Sequence, residues 1–399
     1  TSLNLSCLRQ VHQPLVGKLN LPKPPQPLQP IKMPQRREFL KSTAAASGLM
    51  MLSSFTEKQE TIQPVETRIR FSVININHSH IYGMCNAVIK GGGELVAVYA
   101  KEPELLAAFV KAYPQVKVAS GAKEILEDNS IQVILSSGIP DERGPLGIEV
   151  MKHGKDYLVD KPGITTLEQL AAVRKVQQET KRIYSIMFSE RFENKATVKA
   201  GELIKAGAIG KVVQTIGLGP HRMSVKSRPE WFFDKKRYGG IICDIGSHQF
   251  DQFLFFTGST SAEVVASQTG NVNNKQYPEF EDFGDVMLKG NGGAGYIRVD
   301  WFTPDGLKTW GDGRLTILGT DGFIEIRKNI DIARYGSGNH LYMANNKETI
   351  YLDCNNEPLP FGKQFVDDVI NRTETAMPQA HCFLATELAL KAQKFAKKI

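Results

Sequence analysis

Val159-Asp160-Lys161-Pro162-Gly163 is the stretch that decides how this chain is read. The run leading into it, Asp156-Tyr157-Leu158-Val159, is apolar and β-prone, and it ends in a carboxylate, a lysine and a proline. Proline cannot continue a strand ladder, and it pushes the residue before it out of helical geometry. Lys161 therefore sits in extended backbone at the carboxyl end of a strand. In open α/β sheets that edge is where ligands bind. A lysine there donates a hydrogen bond to a substrate hydroxyl or carbonyl and is a candidate for acid/base work. A surface turn with a solvated lysine would carry the same five residues, so the decision rests on their surroundings.

Working upstream, 68–76 (RIRFSVINI) reads as a buried parallel strand, followed by a helix over 81–90 and a stop at Gly91-Gly92-Gly93. Further strands are predicted at 95–100, 116–119, 131–136, 156–159 and 182–188. Helices over 103–112, 122–128, 145–153 and 166–180 separate them, the last started by Thr165-Thr166 with Glu168 at its positive end. Strands alternating with helices of this length form βαβ units, so residues 66–183 are predicted to be a doubly wound Rossmann sheet, an α/β domain. Asn75, Asn77 and His80 stand in the three glycine places of the usual G-x-G-x-x-G, with Gly83 one turn later. Asparagine tolerates left-handed backbone but keeps a pyrophosphate farther off than glycine does. The second strand would normally end in an acid for the ribose hydroxyls. Here it ends Tyr99-Ala100-Lys101-Glu102, so either Lys101 meets a 2′-phosphate or Glu102 does the acid's work, and NAD versus NADP stays open. His78 and His80 are two apart with no third ligand nearby in sequence, so no metal site is read there.

Downstream the pattern changes to that of an α+β domain over 184–380. A helix over 195–205 precedes strands at 212–218, 262–269, 283–289, 294–302, 314–318 and 323–327, and the turns Gly290-Asn291-Gly292-Gly293 and Gly319-Thr320-Asp321-Gly322 join neighbours as hairpins. A mostly antiparallel open sheet results, with one face free for substrate or a second subunit. Within it, Gly239-Gly240 is followed by Asp244, His248 and Asp251 at i, i+4 and i+7, one face of a helix. A carboxylate one turn from an imidazole can orient it for acid/base work. Just upstream, Gly219-Pro220-His221-Arg222 and Arg228-Pro229-Glu230-Trp231-Phe232-Phe233 crowd cations and aromatics into a loop, the side-chain types that bind sugar hydroxyls and stack on sugar rings, though a rim of interface aromatics would read the same.

The net charge of +7 does not indicate a nucleic-acid partner, because residues 1–70 hold ten Lys/Arg against four Asp/Glu and so carry +6 of it. Five widely spaced cysteines with no C-x-x-C indicate neither a disulfide framework nor a zinc site. Residues 1–32 are proline-rich and too polar to build a core. From Met33, Arg36-Arg37-Glu38-Phe39-Leu40 and the mild apolar run 42–55 resemble a twin-arginine export signal, which places the protein in a bacterial periplasm. That run is too short to span a bilayer, and 1–65 is expected to form no part of the fold.

Taken together, the Asp160-Lys161-Pro162 turn, the Gly239-Gly240…Asp244…His248 pattern and the βαβ half resemble the glucose-fructose oxidoreductase / inositol dehydrogenase / MocA (Gfo/Idh/MocA) family from about residue 68 to the end. The family's Glu-Lys-Pro becomes Asp160-Lys161-Pro162, a shorter acid. The resemblance implies NAD or NADP as cofactor, with contacts at Asn75, Asn77, His78, His80, Lys101, Ser137, Asp160, Lys161 and Pro162. It implies catalysis by Lys161, Asp244 and His248, with His248 as base on the hydroxyl being oxidised. Substrate contacts are expected from His221, Arg222, Trp231, Tyr238, Asp244 and His248. A C-terminal helix over 383–397 is expected to pack back on the first domain, and a homodimer or tetramer is expected. The leading function is an NAD(P)-dependent oxidoreductase of a sugar or cyclitol hydroxyl. A nicotinamide-dependent glycosidase or epimerase and a non-catalytic sugar-binding protein are the alternatives.

Overall fold

The computed structural model describes residues 67–399 except residue 335. The leader and its Arg36-Arg37 motif lie outside the described residues.

The first half alternates as the sequence pattern requires. Its strands are β1 (Ile69–Ile74), β2 (Gly93–Tyr99), β3 (Lys117–Val118), β4 (Val133–Ser136), β5 (Asp156–Asp160) and β6 (Tyr184–Met187). Between them run α1 (His80–Lys90), α2 (Pro103–Ala112), α3 (Ala122–Glu127), α4 (Pro140–Lys152) and α5 (Leu167–Thr180). All six strands are parallel, in the order β3-β2-β1-β4-β5-β6. The order reverses between β1 and β4, and the crevice beyond the carboxyl ends of the strands at that point is the binding position of such sheets. Strands β4 and β5 are buried at every residue. Helices cover both their faces, which explains why they read as continuous apolar runs rather than alternating ones.

Helix α4 starts five residues before the expected 145. Pro145 suits a first helical turn, but it lies inside α4, where it cannot donate to the carbonyl of Asp141. The side-chain amide of Gln169, on α5, donates to that carbonyl instead at 2.9 Å. A tertiary contact thus replaces the missing bond. Thr166 caps α5 as expected, accepting the N–H of Gln169 on its hydroxyl at 3.1 Å.

The second half begins with α6 (Ser189–Phe192) and α7 (Lys195–Lys205), then β7 (Val212–Pro220). Three helices follow, α8 (Lys235–Tyr238), α9 (Ile241–Asp244) and α10 (Ser247–Thr257). The sheet continues through β8 (Ala262–Gly270), β9 (Phe283–Gly290), β10 (Ala294–Asp300), β11 (Arg314–Gly319), β12 (Gly322–Arg327), β13 (His340–Asn345) and β14 (Thr349–Asp353). The chain ends in α11 (Phe361–Asn371), α12 (Gln379–Lys394) and β15 (Lys397–Lys398). The nine strands lie in the order β14-β13-β12-β11-β7-β10-β9-β8-β15 and pair antiparallel except at β7–β10 and β8–β15. Alternate residues of β9 and β10 (Val286 and Leu288, Ile297 and Val299) are buried on the side where α10 packs, while Met287, Leu318 and Phe323 of β9, β11 and β12 stay exposed. This is the open sheet face the sequence anticipates.

Two differences bear on the site. The Asp244–Asp251 segment is not one helix: it breaks at Ile245-Gly246 between α9 and α10. Gly246 is required at the joint, since a Cβ there would lie 2.4 Å from the carbonyl oxygen of Ile242. Helix α12 starts earlier than expected and touches both halves, packing on α5 and β6 and on α9, α10 and β8. Its tail then pairs with β8 of the second sheet.

Candidate active site

Strands β1, β4 and β5 end side by side, and residues that follow them, among them His78, His80, Arg143 and Lys161, build one wall of a cleft of about 510 Å³. After β1 the chain turns through Asn75 in left-handed backbone, φ 64°, the role a glycine commonly has in this turn. Ser137, just past β4, donates its hydroxyl to the carbonyl of His78 at 2.8 Å and fixes the loop that leads into α1. Strand β5 ends at Asp160, which is 1% exposed. Its Oδ1 takes the backbone N–H of Lys161 at 2.8 Å and pairs with Nδ1 of His80 at 2.9 Å, and its Oδ2 takes Nη2 of Arg143 at 3.1 Å. Burial pushes the Asp160 carboxyl up, but His80 and Arg143 outweigh it and hold the group well below its ordinary value. Arg143, equally buried, also donates to the carbonyls of Gly138, Asp160, Lys161 and Pro162, so one guanidinium clamps the whole Asp-Lys-Pro turn.

The turn aims Lys161 across the cleft. Its Nζ donates to Oδ1 of Asp244, at the end of α9, at 2.8 Å. The Asp244 carboxyl is raised by burial but lowered more by the charge and hydrogen bond of Lys161. Asp244 therefore serves the lysine and not, as its spacing suggests, His248. Asp251 leaves the site altogether. It is fully buried and takes a two-bond fork from Arg191 at 2.6 and 2.7 Å and a third bond from His381 at 2.8 Å.

His248, 2% exposed, lines the cleft, and among the described residues its Nδ1 has no hydrogen-bond partner. Burial lowers its pKa to about 3 against the opposing pull of Glu190. His221 is lowered to about 4, by burial and then by the charge of Lys161. Both imidazoles are therefore neutral at pH 7. The floor beneath them is Glu190, three residues past β6, ion-paired with Lys328 and holding the side-chain amide of Gln249 at 2.7 Å. Burial raises the Glu190 carboxyl, and Lys328, His248 and His221 together pull it far down. All three tryptophans of the chain, Trp231, Trp301 and Trp310, border the cleft.

The residues expected to contact substrate all line this one cleft: His221, Arg222, Trp231, Tyr238, Asp244 and His248. Asp244 is held by Lys161 and His221 by the carbonyl of Gly219, and two more are tied to other loops. Arg222 is tied to Asp305 and to the carbonyl of Thr309, and the hydroxyl of Tyr238 accepts the N–H of Glu281. Of the expected cofactor residues, His78, His80 and Lys161 border the cleft. Asn75 and Ser137 shape the loop behind it, Asp160 and Pro162 are buried beneath it, and Lys101 is exposed beyond it. The sequence reading missed Arg143, Glu190, Lys328, Trp301 and Trp310. Glu190 follows the end of β6 as Lys161 follows the end of β5, so the same edge rule points to it. Lys328 and the two tryptophans carry no local signal.

A model of the oxidoreductase family with an NAD-binding Rossmann fold matches residues 74–188, and a GFO/IDH/MocA C-terminal domain model matches 197–325. A solved putative oxidoreductase from Erwinia carotovora atroseptica is 48% identical, covering 83% of this chain and 99% of that one, with a TM-score of 0.81. The chain belongs to the Gfo/Idh/MocA oxidoreductase family. Among curated relatives, the Bacillus subtilis scyllo-inositol 2-dehydrogenase (NAD(+)) is 27% identical over 269 residues, 66% of this chain and 75% of that protein. Thermotoga maritima myo-inositol 2-dehydrogenase is 26% identical over 232 residues, 57% of this chain and 60% of that protein.

The residues present fit the family's dinucleotide. The first turn of α1 contains no acid, so the positive end of the helix faces a phosphate without a competing carboxylate of its own. Glu102 lies just past the end of β2. Its Oε1 takes the amide of Asn77 at 2.7 Å, and its Oε2 is buried with no partner among the described residues. That orphaned oxygen is the acceptor a ribose hydroxyl requires. No helix of the described residues is long and apolar enough to cross a membrane.

Proposed function

We propose that this Gfo/Idh/MocA protein oxidises a secondary hydroxyl of a sugar or cyclitol with NAD. The observation that carries the reading is one cleft holding the Lys161–Asp244 ion pair, a neutral His248 and three tryptophans. His248 accepts the hydroxyl proton of the substrate. Lys161 donates a hydrogen bond to the same oxygen and stabilises its growing negative charge. Asp244 holds the ammonium in position. The tryptophan faces stack on the ring and exclude water. Bound nicotinamide supplies the hydride acceptor. The unpartnered Oε2 of Glu102 supports NAD, because a 2′-phosphate beside this carboxylate would be repelled. The names of the inositol dehydrogenase relatives support a cyclitol-class substrate. The Arg36-Arg37 motif supports export, and the exposed Met287, Leu318 and Phe323 on the open face of the second sheet support self-association.

One preparation tests this reading. The full chain is expressed, the periplasmic fraction purified without added nucleotide, and the native mass measured by light scattering. Released nucleotide is identified by mass spectrometry after denaturation, and NADH formation is followed on a panel of inositols and aldoses. The expected result is stoichiometric NAD(H), a mass of two or four chains and cyclitol- or sugar-dependent NADH, with an Arg36→Lys/Arg37→Lys variant retained in the cytoplasm. No nucleotide and no turnover on any polyol would sink the enzyme reading. NADP instead of NAD would remove the role of Glu102. A single-chain mass would remove self-association, and a periplasmic double-lysine variant would remove the signal.

A further inference from the structure

His78 and His80 stand two residues apart, on the loop after β1 and at the first position of α1. Eighty residues later, the end of β5 brings Asp160 against them. One imidazole nitrogen from each histidine and a carboxylate oxygen of Asp160 all lie within 4.8 Å of one another. Nδ1 of His80 is 2.9 Å from Oδ1 of Asp160, and Nδ1 of His78 is 3.6 Å from Oδ2. Metal–ligand bonds of about 2.0–2.2 Å place neighbouring donors around one ion about 3 to 3.5 Å apart. The two nitrogen–oxygen separations bracket that range, and the two imidazoles pack edge to face with ring centroids 4.1 Å apart.

We propose that His78, His80 and Asp160 form a binding site for a divalent transition-metal ion of the zinc, cobalt or nickel class. Two nitrogens and one carboxylate oxygen favour these ions over magnesium or calcium, which prefer all-oxygen shells. The outer supports of such a site are present. Arg143 holds Asp160 through Oδ2, the N–H of Lys161 holds it through Oδ1, and Ser137 fixes the loop through the carbonyl of His78. Access is present too, since the histidine side chains are 29% and 35% exposed and both border the cleft. The local charge also admits a cation. Near the site stand the carboxylates of Asp160, Asp244 and Glu193 against Arg143 and Lys161, and among the described residues the Glu193 carboxylate makes no hydrogen bond or ion pair. Three protein ligands leave open coordination positions, which face the cleft. The proposal stands apart from the dehydrogenase reading, because it needs neither nucleotide nor substrate.

The test is cobalt(II) titration of the chelator-treated full chain without nucleotide, followed by visible d–d absorption, with zinc as competitor. We expect a saturable band at one cobalt per chain that zinc abolishes. His78→Gln and His80→Gln, each at a partly exposed side chain and each checked for an unchanged circular-dichroism spectrum, are expected to lose the band at the same cobalt concentration. His221→Gln, outside the cluster, keeps it. If one glutamine variant fails to fold, the other decides. Absence of a saturable band in the wild type, or a band that persists in a folded His78→Gln or His80→Gln variant, overturns the proposal.

Discussion

Lys161→Ala is expected to lower turnover by a factor of about 100 or more, the usual size of a lost acid/base group, equivalent to at least about 2.7 kcal/mol of transition-state stabilisation. The side chain is 7% exposed and pairs with Asp244, so alanine removes the cation that faces the substrate oxygen and leaves the Asp244 carboxylate without it. The change should therefore fall on kcat and leave nucleotide affinity nearly intact, because the first turn of α1 and Glu102 lie elsewhere. Lys161→Arg should not restore activity: the planar guanidinium is longer and cannot place one proton where the ammonium places it. The measurement is steady-state kinetics on the substrate found by the polyol panel, beside nucleotide titration of the same variants. Unchanged turnover in a folded Lys161→Ala protein would take the catalytic role away from this residue.

Acid should loosen the fold well before its carboxylates titrate. His221 and His248 are buried as neutral rings, with pKa values lowered to about 4 and about 3. An unfolded histidine titrates near 6.5. Between that value and the folded pKa the unfolded chain binds protons that the native chain refuses, so stability falls as pH falls. Both contributions are fully present above about pH 6.5. By pH 5 each ring has cost roughly 2 kcal/mol, together about 4 kcal/mol. The urea midpoint should drop markedly from pH 8 to pH 5, and a His221→Gln/His248→Gln protein should lose much less over the same interval. Equal losses in the two proteins would mean that neither ring is held neutral by the fold.

Much of the architecture was legible because the signals are local. Alternating apolar runs and helical periods marked the parallel sheet, and the helices at Pro103–Ala112 and Lys195–Lys205 fell where their patterns placed them. Strands β13 and β14 and helix α11 were not anticipated. The edge strand β14 and its neighbour β13 carry mixed polar and apolar residues, as half-exposed positions do. The site divides along the same line. Lys161 was marked by its own neighbours, a strand end followed by proline. The partner of Asp244 could not be read from spacing, since a helix assumed continuous from Asp244 to Asp251 is broken at Gly246 and its two acids face different partners.

By itself the sequence determined which residues must end strands, turn left-handed or carry a charge, because those preferences belong to one residue and its near neighbours. It therefore determined the doubly wound half and the motif residues of the cleft. Only the tertiary structure decided the pairings across it: Lys161 with Asp244, Glu190 with Lys328, Asp160 with Arg143 and both loop histidines. A buried charge must find a partner, but which one it finds depends on strand order and helix packing. Those bring Glu190 and Lys328 together although they lie 138 positions apart in the chain.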